Sequence, residues 1–271
     1  MNRIFKLLVL CCLCGIFGSC DVAVKRMETK VTESKQQLAP KTREGLELPA
    51  PLTSRPEQIL VRKGYTASYN KEWRVPNWVA WHLTAAHLKG DVKRSGLVFN
   101  EDEEVPTPRA VNTDYVRSGY DRGHMCPAGD NKWNAQAMDE SFLFTNICPQ
   151  APQLNRGDWN EMEQACRKWA KQCGDIYIVC GPIFYKKRAK TIGKSKVAVP
   201  DAFFKVVLTM KGKPKAIGFI YKNGDGNRPK GDYANSVDEV ERITGIDFFT
   251  SLPDKVEKQV EAQCNPDDWN I

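Results

Sequence analysis

Histidine is scarce in this chain: its 271 residues include only three, His82, His87 and His124. That excludes a histidine-rich metal centre. Zinc held by cysteine is a rival reading with little support, because the cysteines beyond residue 20 contain no Cys-x-x-Cys pair and His82 and His87 lie far from them in sequence. Long apolar runs are missing too. The run from Leu7 to Phe17 is too short to cross a hydrocarbon layer of about 30 Å as a helix, and neither a second hydrophobic segment nor an internal repeat follows. Several membrane-crossing helices and a repeat architecture are thereby excluded. Nor does one sign of charge dominate: the net charge is +7, and Arg3 and Lys6 of the leading segment supply two of those charges. So modest an excess permits a polyanionic partner without implying one.

What is present begins with a leader. Arg3 and Lys6 precede the apolar run, which ends in Phe17-Gly18-Ser19-Cys20. This reads as an export signal over residues 1–19 with a lipoprotein-type box, the lipid to be carried by Cys20; an ordinary signal cleaved nearby is the alternative. The expected location is exported and lipid-anchored to the bacterial envelope or cell surface. Residues 20–55 are rich in Lys, Glu, Gln, Thr and Pro without apolar periodicity and read as a disordered tether. Residues 56–271 are long enough for one sizeable core. Six cysteines fall in that part, Cys126, Cys148, Cys166, Cys173, Cys180 and Cys264. In an exported protein this predicts up to three disulfides of unassigned pairing; one between Cys126 and Cys148 would stiffen the segment described next.

Asp121-Arg122-Gly123-His124 is followed by Met125-Cys126-Pro127-Ala128-Gly129-Asp130. Hydrolysing a phosphodiester requires a base for the attacking water, neutralised phosphate oxygens and a stabilised leaving oxygen. Histidine supplies the base, arginine a permanent donor fork for phosphate, and Gly123 a close backbone approach. The tetrad alone proves little, since a histidine beside an arginine is more often a surface or satisfied core residue. Downstream stand Thr145-Asn146-Ile147-Cys148-Pro149-Gln150 and then Leu154-Asn155-Arg156-Gly157-Asp158-Trp159-Asn160-Glu161-Met162-Glu163.

With both blocks present in that order, the chain resembles the DNA/RNA non-specific endonuclease family, the ββα-metal nucleases, from about Pro56 to Ile271. The resemblance implies an α+β fold with a mainly antiparallel central sheet flanked by helices and a ββα-metal site. It also implies DNA and RNA as substrates and 5′-phosphate products. In that reading His124 is the general base and Asn155 the direct protein ligand of Mg2+, with Mn2+ as a substitute. Glu163 holds metal-bound water, Arg122 contacts phosphate, and Arg94 matches an upstream arginine that stabilises the transition state. Asp121 and Asn146 are expected to be scaffold. Arg156 stands where many relatives have Gln, a departure that could add a phosphate contact. One active-site histidine argues against a histidine pair acting through the 2′-hydroxyl of RNA. The readings kept beside this one are a catalytically inactive nucleic-acid-binding surface lipoprotein on the same scaffold and an enzyme for small phosphodiesters. The basic cluster Lys186-Lys187-Arg188-Ala189-Lys190, with Lys194 and Lys196, is either a nucleic-acid track or a solvated loop.

Strand patterns occur at Tyr65–Tyr69, Trp78–Leu83, Phe142–Ile147, Ile176–Val179, Phe203–Met210 and Ala216–Tyr221. Trp159, Met162, Cys166, Trp169 and Cys173 recur at helical spacing, predicting one helix from Pro152 to Gly174 with these side chains toward the core. In such a helix Asn155 and Glu163 stand roughly 12 Å apart along the axis, unsuited to share one metal directly. Ser236 and Glu239 predict a capped helix through Ile243, stopped by Gly245.

Overall fold

A computed structural model describes residues 45–186, 188–224 and 226–271. The leader, Cys20 and most of the expected tether lie outside the described residues. The last part of that tether behaves otherwise: Leu46 is fully buried in the core, Ala50 N–H donates to the Asp247 carbonyl, and Arg55 donates to the Thr244 carbonyl. Packing therefore starts about ten residues before the Pro56 boundary, because one leucine inserted into a core outweighs the polar composition around it.

The architecture is α+β, as the resemblance implies. Seven strands form an antiparallel sheet in the order β1-β2-β3-β6-β9-β10-β11. They are β1 (Gln58–Val61), β2 (Thr66–Asn70), β3 (Val75–Thr84), β6 (Asp175–Ile183), β9 (Ala202–Thr209), β10 (Lys215–Lys222) and β11 (Ala234–Asn235). Two short pairs stand apart: β4 (Asp121–His124) with β5 (Ile147–Gln150), and β7 (Thr191–Ile192) with β8 (Val197–Ala198). The helices are α1 (Asn112–Tyr115), α2 (Ala135–Glu140), α3 (Pro152–Arg156), α4 (Asp158–Cys173), α5 (Val237–Thr244) and α6 (Asp254–Glu261).

Both faces of the sheet are covered, so its central strands are buried along their length and read as near-continuous apolar runs. Alternate residues divide between two cores. Trp81, Ile178 and Val207 face one core, while Ala80, Val179 and Val206 face the other. Trp159, Met162, Cys166 and Trp169 of α4 fill the first, and Val237, Val240, Val256 and Val260 of α5 and α6 fill the second. The α5 cap forms as predicted: Ser236 Oγ accepts from Glu239 N–H, and Gly245 takes the left-handed conformation at φ 66°. Cys173 is only partly buried and sits at the edge of its stripe.

The predicted disulfides are not formed. All six cysteines are free thiols, four of them buried in the first core. They serve as small apolar residues with weak hydrogen bonds: Asn131 donates to Cys126 Sγ at 3.3 Å, and the Cys180 thiol donates to the Met125 carbonyl at 3.3 Å. Burial pushes the Cys166 and Cys180 thiols up to about 12, which keeps them protonated and unreactive. The strand expected at Phe142–Ile147 is instead a 3-10 turn, Phe144–Asn146, leading into β5. No helix of the described residues is long and apolar enough to cross a membrane.

Leu46→Ala should lower unfolding free energy by about 2–5 kcal/mol, the usual cost of emptying a leucine site. It would appear as a lower denaturant midpoint at unchanged slope, and a change within error would return residues 45–55 to the tether.

Candidate active site

The motif residues meet because β4 and β5 pair and the chain then turns directly into α3 and α4. In this pair Gly123 faces Cys148 and His124 faces Ile147. A side chain at Gly123 would collide with Gln150, whose Oε1 lies 2.3 Å from the position a Cβ would take. Asn146 secures the chain just past His124: its Oδ1 accepts from Cys126 N–H at 2.9 Å, and its Nδ2 donates to the Cys126 and Ser141 carbonyls. The scaffolding role expected of Asn146 is thus given physical form.

The predicted continuous helix from Pro152 is broken. Gly157 adopts φ −101°, ψ −111° between α3 and α4, a conformation in which a Cβ would lie 2.6 Å from the Gln153 carbonyl oxygen. The axial separation expected for Asn155 and Glu163 does not apply across this break. Both residues line one cleft of about 1100 Å3, together with His124, Arg122, Arg94 and Asp121.

Asp121 organises the entrance. It accepts from Asn155 Nδ2 at 3.0 Å and takes both arms of the Arg156 guanidinium at 2.8 Å each. Burial pushes the Asp121 carboxyl up, but the hydrogen bonds from Arg156 and Asn155 outweigh it and hold the group below the usual carboxylate range. With its amide nitrogen committed to Asp121, Asn155 keeps Oδ1 as its free atom, the oxygen a hard cation would take. Arg156, expected as an added phosphate contact, lines the cleft with Nε and Nη2 bound to Asp121.

His124 packs at 5.3 Å from the Phe99 ring and edge-on to Phe142 at 5.1 Å. Its carbonyl accepts from Trp159 Nε1, and its ring Nε2 is buried without a hydrogen-bond partner. Desolvation, helped by the Arg94 cation, lowers its pKa to about 3. Both causes oppose the imidazolium, so the ring is neutral at physiological pH. Arg122 lies over the Phe99 and Tyr115 rings at 5.6 and 5.5 Å, and Arg94 over Phe142 at 5.5 Å. The aromatic faces fix two long, entropically costly side chains beside the imidazole.

Glu163 is raised to about 7, first by burial and then by Asp130, against the opposing cations Lys205, Arg167 and Arg94. Three of these neighbours escape sequence reasoning. Arg167 pairs with Asp130 at 3.0 Å and approaches Glu163 at 3.9 Å; its position four residues after Glu163 on α4 is the one local signal available. Asp130, the last residue of the motif block, also accepts from Trp81 Nε1. Lys205 is fully buried, its Nζ lies 4.2 Å above the Trp159 ring, and it has no hydrogen-bond partner. Burial works against that ammonium, yet Cys180, Cys166, Glu163 and Asp130 outweigh it and raise its pKa. With both thiols protonated at neutral pH, the two carboxylates are the effective counter-charges.

Of the basic cluster, Lys190 reaches Tyr120, the residue before Asp121, with Nζ 5.0 Å from the ring centre and 3.3 Å from its hydroxyl. Lys187 lies outside the described residues, and none of the described residues of the cluster lines the cleft.

Since a histidine with a depressed pKa resists protonation only when folded, its stabilising contribution is present above about pH 6.5 and is lost as pH falls toward 3. In nuclear magnetic resonance of the metal-free protein, the His124 ring should show no titration between pH 8 and 5. An inflection near 6.5 would mean that the ring is solvated.

Comparison with known proteins agrees with this geometry. A profile for DNA/RNA non-specific endonucleases matches residues 47–255. Mitochondrial nuclease EXOG of Danio rerio is 37% identical over 227 residues, 76% of this chain and 64% of that protein. Nuclease C1 of Cunninghamella echinulata var. echinulata is 38% identical over 210 residues, 72% of this chain and 83% of the relative. A chain in the crystal structure of the EndoG/EndoGI complex superposes with a TM-score of 0.69 at 32% identity, covering 73% of this chain and 88% of that one. The chain spans less than two thirds of some relatives it matches, 64% of the Danio rerio EXOG and 56% of the human one. A profile match over most of the domain, an antiparallel α+β fold shared with a solved relative, and a ββα cleft built on Asp121 to His124 place the chain in the DNA/RNA non-specific endonuclease family.

Proposed function

We propose that this chain is a metal-dependent, sugar-non-specific endonuclease that hydrolyses phosphodiester bonds of DNA and RNA to leave 5′-phosphate ends. The observation that carries the reading is the convergence of His124, Asn155, Glu163, Arg122 and Arg94 on one cleft, with the Asn155 amide oriented by Asp121. The donor set suits a hard cation: an amide oxygen and a carboxylate held near half-protonation, which a nearby positive charge would return to its ionised form. Mg2+, or Mn2+ in its place, would be held by Asn155 directly and by Glu163 through water. When bound, the ion would supply Lewis-acid charge stabilisation to the phosphate undergoing cleavage.

The protein's own groups do the rest. His124, neutral at working pH, takes the proton of the attacking water. Arg94 and desolvation make it a weak base, and an entering phosphate would offset the Arg94 charge and raise its basicity where a proton must be accepted. Arg122 and Arg94 neutralise phosphate oxygens, and the aromatic rings beneath them limit their motion. Every group addresses the phosphate or the cation, so base identity is read weakly.

Supercoiled plasmid and RNA should both be cut in Mg2+ and spared with chelator. His124→Ala and Asn155→Ala should each lose about 10²–10⁴-fold in rate. Asp121→Ala should lose about 10–100-fold, with more Mg2+ needed for half-maximal rate, since it disturbs a ligand's orientation and not the ligand. Binding of either polymer without metal-dependent cutting in the unmodified protein would assign it to the inactive, binding-only reading, and cutting of dinucleotides alone would assign it to small phosphodiesters.

We also propose export with a lipid on Cys20, supported by Arg3, Lys6, the short apolar run and Gly18-Ser19 before the cysteine. In a bacterial host Cys20→Ala should shift the domain from the membrane to the soluble fraction. Equal partitioning of the two forms would remove the anchor.

A further inference from the structure

We propose that Asp238, Glu241 and Glu261 form a second divalent-cation site, remote from the cleft, that takes a hard ion of the calcium class. Asp238 and Glu241 are three residues apart on α5 and share a face, and Glu261 is the last residue of α6. One carboxylate oxygen from each lies within 4.8 Å of the others. Oxygens bound to one calcium ion at about 2.3–2.6 Å can stand up to about 5 Å apart, so a single ion can touch all three.

The second observation is Glu261 itself. It is 5% exposed, faces the other two acids, and has a buried Oε1 without any hydrogen-bond partner. A buried carboxylate oxygen left unmatched is costly unless something fills the place it points to. The charges acting on Glu261 are acids: Glu241, Glu257, Asp238 and Asp247. The nearby cations are engaged otherwise, Arg242 forking onto Glu239 and Lys258 acting on Glu257. Glu241 is held in place, its Oε1 accepting from Phe248 N–H at 2.7 Å.

Glu241 in the last turn of α5 and Glu261 at the end of α6 also sit at the negative ends of their helices, where a carboxylate is disfavoured. A bound cation would offset both the mutual repulsion of the three acids and their unfavourable helix-end positions. Three carboxylates with neither histidine nor cysteine favour an oxygen-seeking ion over zinc. Irregular spacing and one exposed acid open to water favour calcium over magnesium, which demands near-ideal octahedral geometry. The ion would tie α5 to α6 on the second core, the sheet face opposite α4 and its nuclease residues.

The test uses the full chain stripped of metal, with CaCl2 and MgCl2 as probes. Calcium at about 10 mM should raise the unfolding temperature by several degrees, with sparse-ligand affinity of about 10⁻⁴–10⁻³ M; magnesium should do so less. Glu261→Gln and Glu241→Gln keep side-chain volume and relieve repulsion, so both should fold, with unfolding temperatures in chelator equal to or above that of the unmodified chain. Each should weaken calcium affinity at least tenfold and leave plasmid cleavage in Mg2+ unchanged. Asn155→Ala should retain the calcium shift and bind about one calcium per chain by equilibrium dialysis, which separates this site from the nuclease reading. The proposal is overturned by a calcium shift that survives both glutamine variants. It is equally overturned by no shift in the unmodified chain.

Discussion

The Asp121 carboxylate is the constraint on which the site depends. It stands at the start of β4 and binds two consecutive side chains at the end of α3, the amide of Asn155 and the guanidinium of Arg156. Strand and helix are thereby locked in one register, and the amide that would hold a cation is turned the right way. Without that acceptor, Asn155 Nδ2 and Oδ1 could exchange places at little cost, and the cleft would present a donor where an acceptor is needed. Arg156 adds a positive charge to the pair, which keeps Asp121 ionised and so keeps it an acceptor.

Behind this entrance lies a second layer of charge. Lys205 occupies the middle of a strand buried along its whole length and faces Trp159 and the carboxylates of Glu163 and Asp130. Arg167 closes the set from α4. A lone lysine in that position would be prohibitive; among two acids and an aromatic face it is tolerable, and it supplies the field against which Glu163 titrates. The imidazole in front sits among phenylalanines and next to Arg94, so its protonation is opposed where that of Glu163 is favoured. Two titratable groups on one cleft are pushed in opposite directions by burial alone, and the surrounding charges tune the result.

Much of this was legible. The stripe from Trp159 to Trp169, the Ser236 cap and the Gly245 stop are local patterns, and each appears in place. The order of the motif blocks around His124, Asn155 and Glu163 identified the cleft residues, and all of them line it. The break at Gly157 was not read, because periodicity on either side of a glycine runs on undisturbed whatever angles that glycine adopts. The strand at Asp121–His124 was also missed: it is four residues long, with no alternation to detect. The cysteines misled, since an even count suits bridges and buried thiols equally well. Leu46 was lost in a polar stretch because one buried residue leaves no periodic trace.

The residues alone determined which chemistry is possible here: one histidine directly after arginine and glycine, an asparagine and a glutamate downstream, and strand and helix patterns of apolar residues for a core. Only the tertiary structure decided how these groups act on one another. It placed Arg94, Phe142 and His124 side by side, oriented the Asn155 amide, sank Lys205 beneath Glu163, and gathered Asp238, Glu241 and Glu261 on the far face. The reason is physical: hydrophobic pattern is a property of neighbours along the chain, whereas desolvation and charge coupling depend on distances that exist only after distant segments have packed.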